Sequence, residues 1–290
     1  MKYQVLYLLS AILLCCSMPS KAWSASPSLK LTKTALTQLE QKALLGDQGS
    51  ARELWWYYSF GKGQFDPDSE KKLNYWLQIA AENGGAFNYN SFSNLLQNYF
   101  ALPTDENQIK NNLRSLYWAK QASLHSDSAH ISWAANFDLY TIFPIRTNYW
   151  QGVEGYFVNN QQVADEAAHL ATGGPYLIPL DAAAPINKNT LPILVVNALL
   201  GNAPAAGRVA NFFQTVKGAN DLYWRTIAAE DGNIANQFWL AKHLSESADR
   251  DDRIRAAFWA TKVTEQSKNE VLAAQAKRIL LTAGIKNSKP

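Results

Sequence analysis

Apolar positions recur along this chain at three- and four-residue spacings, in pairs of short stretches. The first pair is Leu36, Leu39, Ala43 and Leu44 before Gly46, then Ala51, Leu54, Trp55 and Tyr58 before Gly61. Such spacing gathers each stretch on one face of an amphipathic helix and predicts a helix, a turn and a second helix. The unit returns as Leu73, Trp76, Leu77, Ala80 and Ala81, broken by Gly84-Gly85, followed by Phe92, Leu95 and Leu96. A third copy has Tyr117-Trp118, Ala122 and Ala129, with Ser126-Asp127-Ser128 in the turn in place of glycine. After an interruption come Ala198, Gly201, Ala205-Ala206 and Phe212-Phe213, then Trp224, Ala228-Ala229, Gly232, Ala235 and Leu240. A last, degenerate copy surrounds Trp259 and lacks a turn glycine.

Trp224 and Trp259 are about 35 residues apart, and Trp76 and Trp118 about 42, inside the roughly 20–50-residue periods of helical solenoids. Two antiparallel helices approach closely only where side chains are small, so Ala80, Ala81, Ala228, Ala229 and Ala235 are expected to let the backbones meet. Gly46, Gly84, Gly201 and Gly232 are expected to take the left-handed conformation that ends a helix. Trp76, Trp118 and Trp224 then fill the gaps toward neighbouring hairpins. No single hairpin of this size buries its apolar stripe, so the copies must stack.

The run Gly46-Asp47, Ala51, Leu54, Tyr58, Gly61, then Trp76, Ala80-Ala81 and Gly84, resembles the Sel-one-like repeat, a relative of the tetratricopeptide repeat. Trp224, Ala228-Ala229, Gly232-Asn233 and Ala235 look like a second good copy. Phe87 departs from the pattern, standing where that repeat wants alanine. The resemblance implies an all-α, right-handed α-solenoid of five or six stacked antiparallel helix hairpins. It also implies a non-catalytic adaptor that binds a protein on its concave face. Exported bacterial members of the family resemble partners of cell-envelope proteins, including immunity proteins that neutralise secreted antibacterial effectors.

Composition agrees with a folded chain: 290 residues, 47% hydrophobic and 18% charged, are enough to bury a substantial core. A net charge of +3, spread evenly, gives no nucleic-acid footprint. Met1-Lys2, the apolar run Val5 to Cys16 and small residues at Ala22 and Ser24 have the layout of a cleavable export signal. The run is too short to span a bilayer comfortably. A soluble periplasmic protein is expected, with no stable membrane insertion once the signal is removed. Both cysteines, Cys15 and Cys16, lie inside this segment, and Leu14 before Cys15 is not the small residue an acylation site wants.

The expected organisation is therefore a signal at 1–24, repeats at 25–143, an irregular insertion at 144–188, repeats at 189–283 and a loose tail at 284–290. Insertions in solenoids commonly map to a binding face. Trp150, Tyr156, Phe157 and Tyr176 in the insertion are therefore candidate partner-contacting aromatics. The same rings could instead pack as a plug over an apolar end of the stack.

Catalytic chemistry finds little purchase. Asp165 and His169 share a helical spacing beside Glu166, but no third ligand is visible, and His125 and His130 make a weaker pair. A nucleophile elbow is absent, and Gly61-Lys62-Gly63 lacks the spacing of a phosphate loop. No catalytic residue, metal or cofactor is expected. The alternative class is a protein that binds or processes cell-wall glycan, using stacked aromatics and a carboxylate pair such as Glu154 and Asp181.

Overall fold

A computed structural model describes residues 31–96, 106–125, 181, 183–216 and 221–282. Among the described residues there are eleven α-helices and no strand. They are α1 (Lys33–Leu44), α2 (Gln48–Phe60), α3 (Ser69–Asn83), α4 (Ala86–Leu96), α5 (Glu106–Leu124), α6 (Thr190–Leu199), α7 (Ala203–Thr215), α8 (Asp221–Glu230), α9 (Ile234–Ser245), α10 (Arg250–Gln266) and α11 (Glu270–Thr282). Five complete hairpins result, and α5 stands in the place of a first helix whose expected companion around Ala129 lies outside the described residues.

Three turns are built by one local rule. Gly46, Gly201 and Gly232 have φ of 110°, 95° and 92°, and the N–H groups of each glycine and the residue after it bond back to the closing helix. Gly232 N–H donates to Ala229 O at 3.1 Å and Asn233 N–H to Ala228 O at 2.9 Å, with the same pattern at Gly46-Asp47 and Gly201-Asn202. The Asx side chain then caps the next helix, Asp47 accepting from Ser50 N–H, Asn202 from Ala205 N–H and Asn233 from Asn236 N–H. Two residues thus end one helix, satisfy its last carbonyls and start the next. The degenerate last copy does without glycine: Ser267 ends α10, and Asn269 accepts from the Val271 and Leu272 N–H groups to start α11.

Each second helix before α11 packs against its own first helix and the first helix of the next hairpin, as α2 does between α1 and α3, and α9 between α8 and α10, while α11 packs against α10 and α9. Every first helix from α3 onward, except α6, carries an aromatic-tryptophan pair. Tyr75-Trp76, Tyr117-Trp118, Tyr223-Trp224 and Phe258-Trp259 all meet edge to face, with ring centroids 4.8 to 5.1 Å apart. The four tryptophans are 2 to 4% exposed, and each sits in a different one of the four apolar clusters that form the core. Ala80, Ala81, Ala228 and Ala229 are buried between helices.

One packing expectation is corrected. Ala235 is exposed, and the inward positions of α9 belong to Asn236, Gln237 and Leu240. Gln237 Nε2 donates to Ala229 O at 3.1 Å across the hairpin, and Asn88 Nδ2 donates likewise to Ala80 O at 3.2 Å. Because the position of Ala235 and Phe87 faces away from the first helix, a small residue is not needed there. Phe87 uses it to meet Trp55 of α2 at 6.2 Å.

The array closes on itself. α5 packs against α6, and in the same manner α10 packs against α1. At the first junction a Cβ on Gly201 would run into the Tyr117 ring; at the second, a Cβ on Gly46 would stand 2.9 Å from the Phe258 ring. The last hairpin thus sits on the first as the third sits on the fourth, which makes the chain two similar halves facing each other.

Candidate functional site

The centre of this closure holds the charged residues that the two halves share. In α3 and α8 the sequences Trp76-Leu-Gln-Ile-Ala-Ala-Glu82-Asn83-Gly84 and Trp224-Arg-Thr-Ile-Ala-Ala-Glu230-Asp231-Gly232 place two polar side chains at the helix end. In α5 and α10, Arg114-Ser-Leu-Tyr117-Trp118-Ala119 and Arg255-Ala-Ala-Phe258-Trp259-Ala260 place an arginine one turn before the aromatic pair. The halves exchange these groups: the arginine of each meets the acidic helix end of the other.

Arg114 donates through Nη1 to Asp231 Oδ1 at 2.6 Å and through Nη2 to Glu230 Oε2 at 2.7 Å. Arg255 donates through Nη2 to Glu82 Oε2 at 2.6 Å and through Nη1 to Asn83 Oδ1 at 2.7 Å and Leu44 O at 3.2 Å. The guanidinium faces lie on rings, with Arg114 Cζ 3.8 Å from the Tyr117 centroid and Arg255 Cζ 3.6 Å from that of Phe258. A planar fork bonded at its edge and stacked at its face is geometry that arginine provides and lysine does not. Gln78 joins the two centres, donating to Glu82 at 2.9 Å and reaching Glu230 at 3.5 Å.

The two arginines and three carboxylates have side chains between 0 and 6% exposed, and burial is the largest influence on the titration of Glu230, Asp231 and Arg255. Loss of solvent raises Glu230 to about 7 and Asp231 to about 6, against the pull of Arg114. Arg114 is raised because Asp231 and Glu230 together outweigh its burial. Arg255 is lowered because burial outweighs the pull of Glu82, the carboxylate paired with it, and of the more distant Glu230. The arrangement can hold two halves together; its charged side chains are buried.

Of the candidate residues read from sequence, Trp150, Tyr156, Phe157 and Tyr176 lie outside the described residues, as do Glu154, Asp165, Glu166, His130 and His169. Asp181 is exposed and accepts from Ala183 N–H, while Arg208 of α7 donates to its carbonyl and to that of Ala184. His125 is exposed against Tyr89. Gly63 is packed under the Tyr57 and Tyr58 rings in a 3-10 turn, Lys62–Phe65. Among the described residues no group of three or more His, Cys, Asp or Glu is placed to hold a metal ion, and no helix is long and apolar enough to cross a membrane.

Sequence reasoning passed over Arg114, Arg255, Glu82, Glu230 and Asp231. The signal that could have found them was the arginine repeated three residues before each of two aromatic-tryptophan pairs. No protein-family model matches the chain, and no curated protein or solved structure matches it either.

Proposed function

We propose that this chain is an exported, non-catalytic protein-binding repeat protein, of the Sel-one-like type, acting in the periplasm as an immunity protein or as an envelope scaffold. The observation that carries this reading is the use made of the buried charged side chains. Glu230, Asp231, Arg114 and Arg255 are spent on joining one half to the other and are sealed from solvent. On this reading the partner contacts are made by the concave face and by the insertion with Trp150, Tyr156, Phe157 and Tyr176.

The test is a pull-down from native periplasmic extract with the chain from Ala25 onward as bait. One stoichiometric protein partner is expected, lost when Trp150, Tyr156 and Tyr176 are changed to alanine while helicity by circular dichroism is kept. Retention on purified cell-wall glycan with no protein recovered would replace this reading with the carbohydrate one.

A further inference from the structure

The two junctions are alike except at one position, and that difference carries a consequence. Where one half has Asn83, the other has Asp231. Asn83 uses both ends of its amide: Oδ1 accepts from Arg255, and Nδ2 donates to Ala43 O at 2.7 Å. Asp231 accepts from Arg114 through Oδ1 in the same way, but its Oδ2 is buried and has no hydrogen-bond partner among the described residues. The chain preserves the setting, since Ala43-Leu-Leu-Gly46 in the first half corresponds to Ala198-Leu-Leu-Gly201 in the second. A carboxylate oxygen cannot donate; a protonated one can.

The charge count points the same way. Arg255 faces one carboxylate, Glu82, whereas Arg114 faces two, Glu230 and Asp231. The other titratable groups around the centre do not offset the surplus. From α3 come Tyr75 and Glu82, from α5 Tyr117, whose hydroxyl donates to Glu230 O at 3.2 Å, and from α10 Arg255 and Lys262. Lys262 lies on the Arg255 side, its ammonium 5.0 Å over the Phe258 ring. Lys110 sits over Tyr223 and Trp224 at the other end of α8. The buried Arg225 of α8 is directed outward, to Gln214, Asn236 and Asp221, and Gln237, the remaining outer-helix contact, is neutral. A buried surplus charge is costly unless it is neutralised.

We propose that the junction between α5 and α8 binds one proton, shared by Glu230 and Asp231, and that closure of the two halves there tightens as the pH falls. The proton converts Asp231 into the donor that Asn83 already is and leaves one carboxylate for Arg114. The raised titration of both acids agrees in sign: the closed form holds protons more firmly than an opened one with ordinary values of 4.5 and 3.8. The contribution is complete below about pH 4 and is lost as pH rises through about 6 and 7. The inference is independent of what the protein binds.

Hydrogen exchange of the whole chain, corrected for intrinsic rates and followed from pH 5.5 to 8, tests it. Amides of α5 around Arg114 and of the α8 end are expected to lose protection by about tenfold or more over that range. In Asp231→Asn, which imitates the protonated form, that loss becomes smaller, and what remains is the part due to the burial of Glu230. In Asn83→Asp, the α3 and α10 amides acquire a pH-dependent loss that the natural protein does not show. Protection at α5 and α8 that stays flat or rises with pH overturns the proposal. So does an Asp231→Asn chain that keeps the full loss, or an Asn83→Asp chain whose second junction remains indifferent to pH.

Discussion

Gly201 and Gly232 show how two residues of the same kind do different work. Both hold a left-handed backbone, which costs another L-residue about 1–2 kcal/mol. A Cβ at Gly232 meets nothing within 4 Å, while one at Gly201 runs into the Tyr117 ring. Gly232→Ala is therefore expected to lose about 1–2 kcal/mol in urea unfolding, and Gly201→Ala distinctly more, because the ring seats α5 on α6. Equal losses would show that the close approach is not what the glycine serves. The arginines obey similar reasoning. Arg255→Met leaves Glu82 buried and unpaired, with an expected cost of about 3–5 kcal/mol, and the double change Arg255→Met with Glu82→Met recovers much of it. A double variant as unstable as the single one would contradict this account of the pair.

The hairpin is the next scale, and its instructions are largely local. A Gly-Asx pair closes one helix and opens the next at Gly46-Asp47, Gly201-Asn202 and Gly232-Asn233. Asn202→Ala removes only a cap, so a loss of about 1 kcal/mol is expected. Asn233→Ala should cost more, because Asn233 Nδ2 also donates to Ala203 O at 3.3 Å and so ties the fifth hairpin to the fourth. Gly207 of α7 is bare where that amide approaches, 2.8 Å from where a Cβ would be. Thermal unfolding of the two variants compares them directly, and a smaller effect at Asn233 would show that the inter-hairpin bond adds nothing. This scale was legible beforehand: the apolar spacing located the helices, and glycine located most turns. The last hairpin was hard to recognise because Ser267 and Asn269 perform with side chains what glycine does elsewhere with backbone freedom. Ala235 was misplaced because a repeat pattern records which positions recur, not whether they face the partner helix or the neighbouring hairpin.

At the scale of the whole molecule, the stack is closed by contacts between residues far apart in sequence, Arg255 with Leu44, Glu82 and Asn83, and Arg114 with Glu230 and Asp231. Among the described residues, closure gives every first helix a neighbour on both sides, α1 included through α10, whereas a linear solenoid must cover its ends with capping repeats. The pairing is reciprocal, as in a symmetric dimer, where each subunit presents the same surface to the other. Here one chain supplies both surfaces, and the exchange of Asn83 for Asp231 makes them unequal in charge.

The sequence by itself determined the all-helical class, the hairpins, their turns and the tryptophans that fill the space between them. All of these follow from periodicities and caps that act within a few residues of one another. Only the tertiary structure decided that the stack closes, which arginine meets which carboxylate, and that Asp231 is sealed from water with one oxygen unbonded. Those outcomes depend on how small rotations between successive hairpins add up until α10 reaches α1. No residue encodes that sum locally, and a charged side chain looks the same in a sequence whether it ends in solvent or in the core.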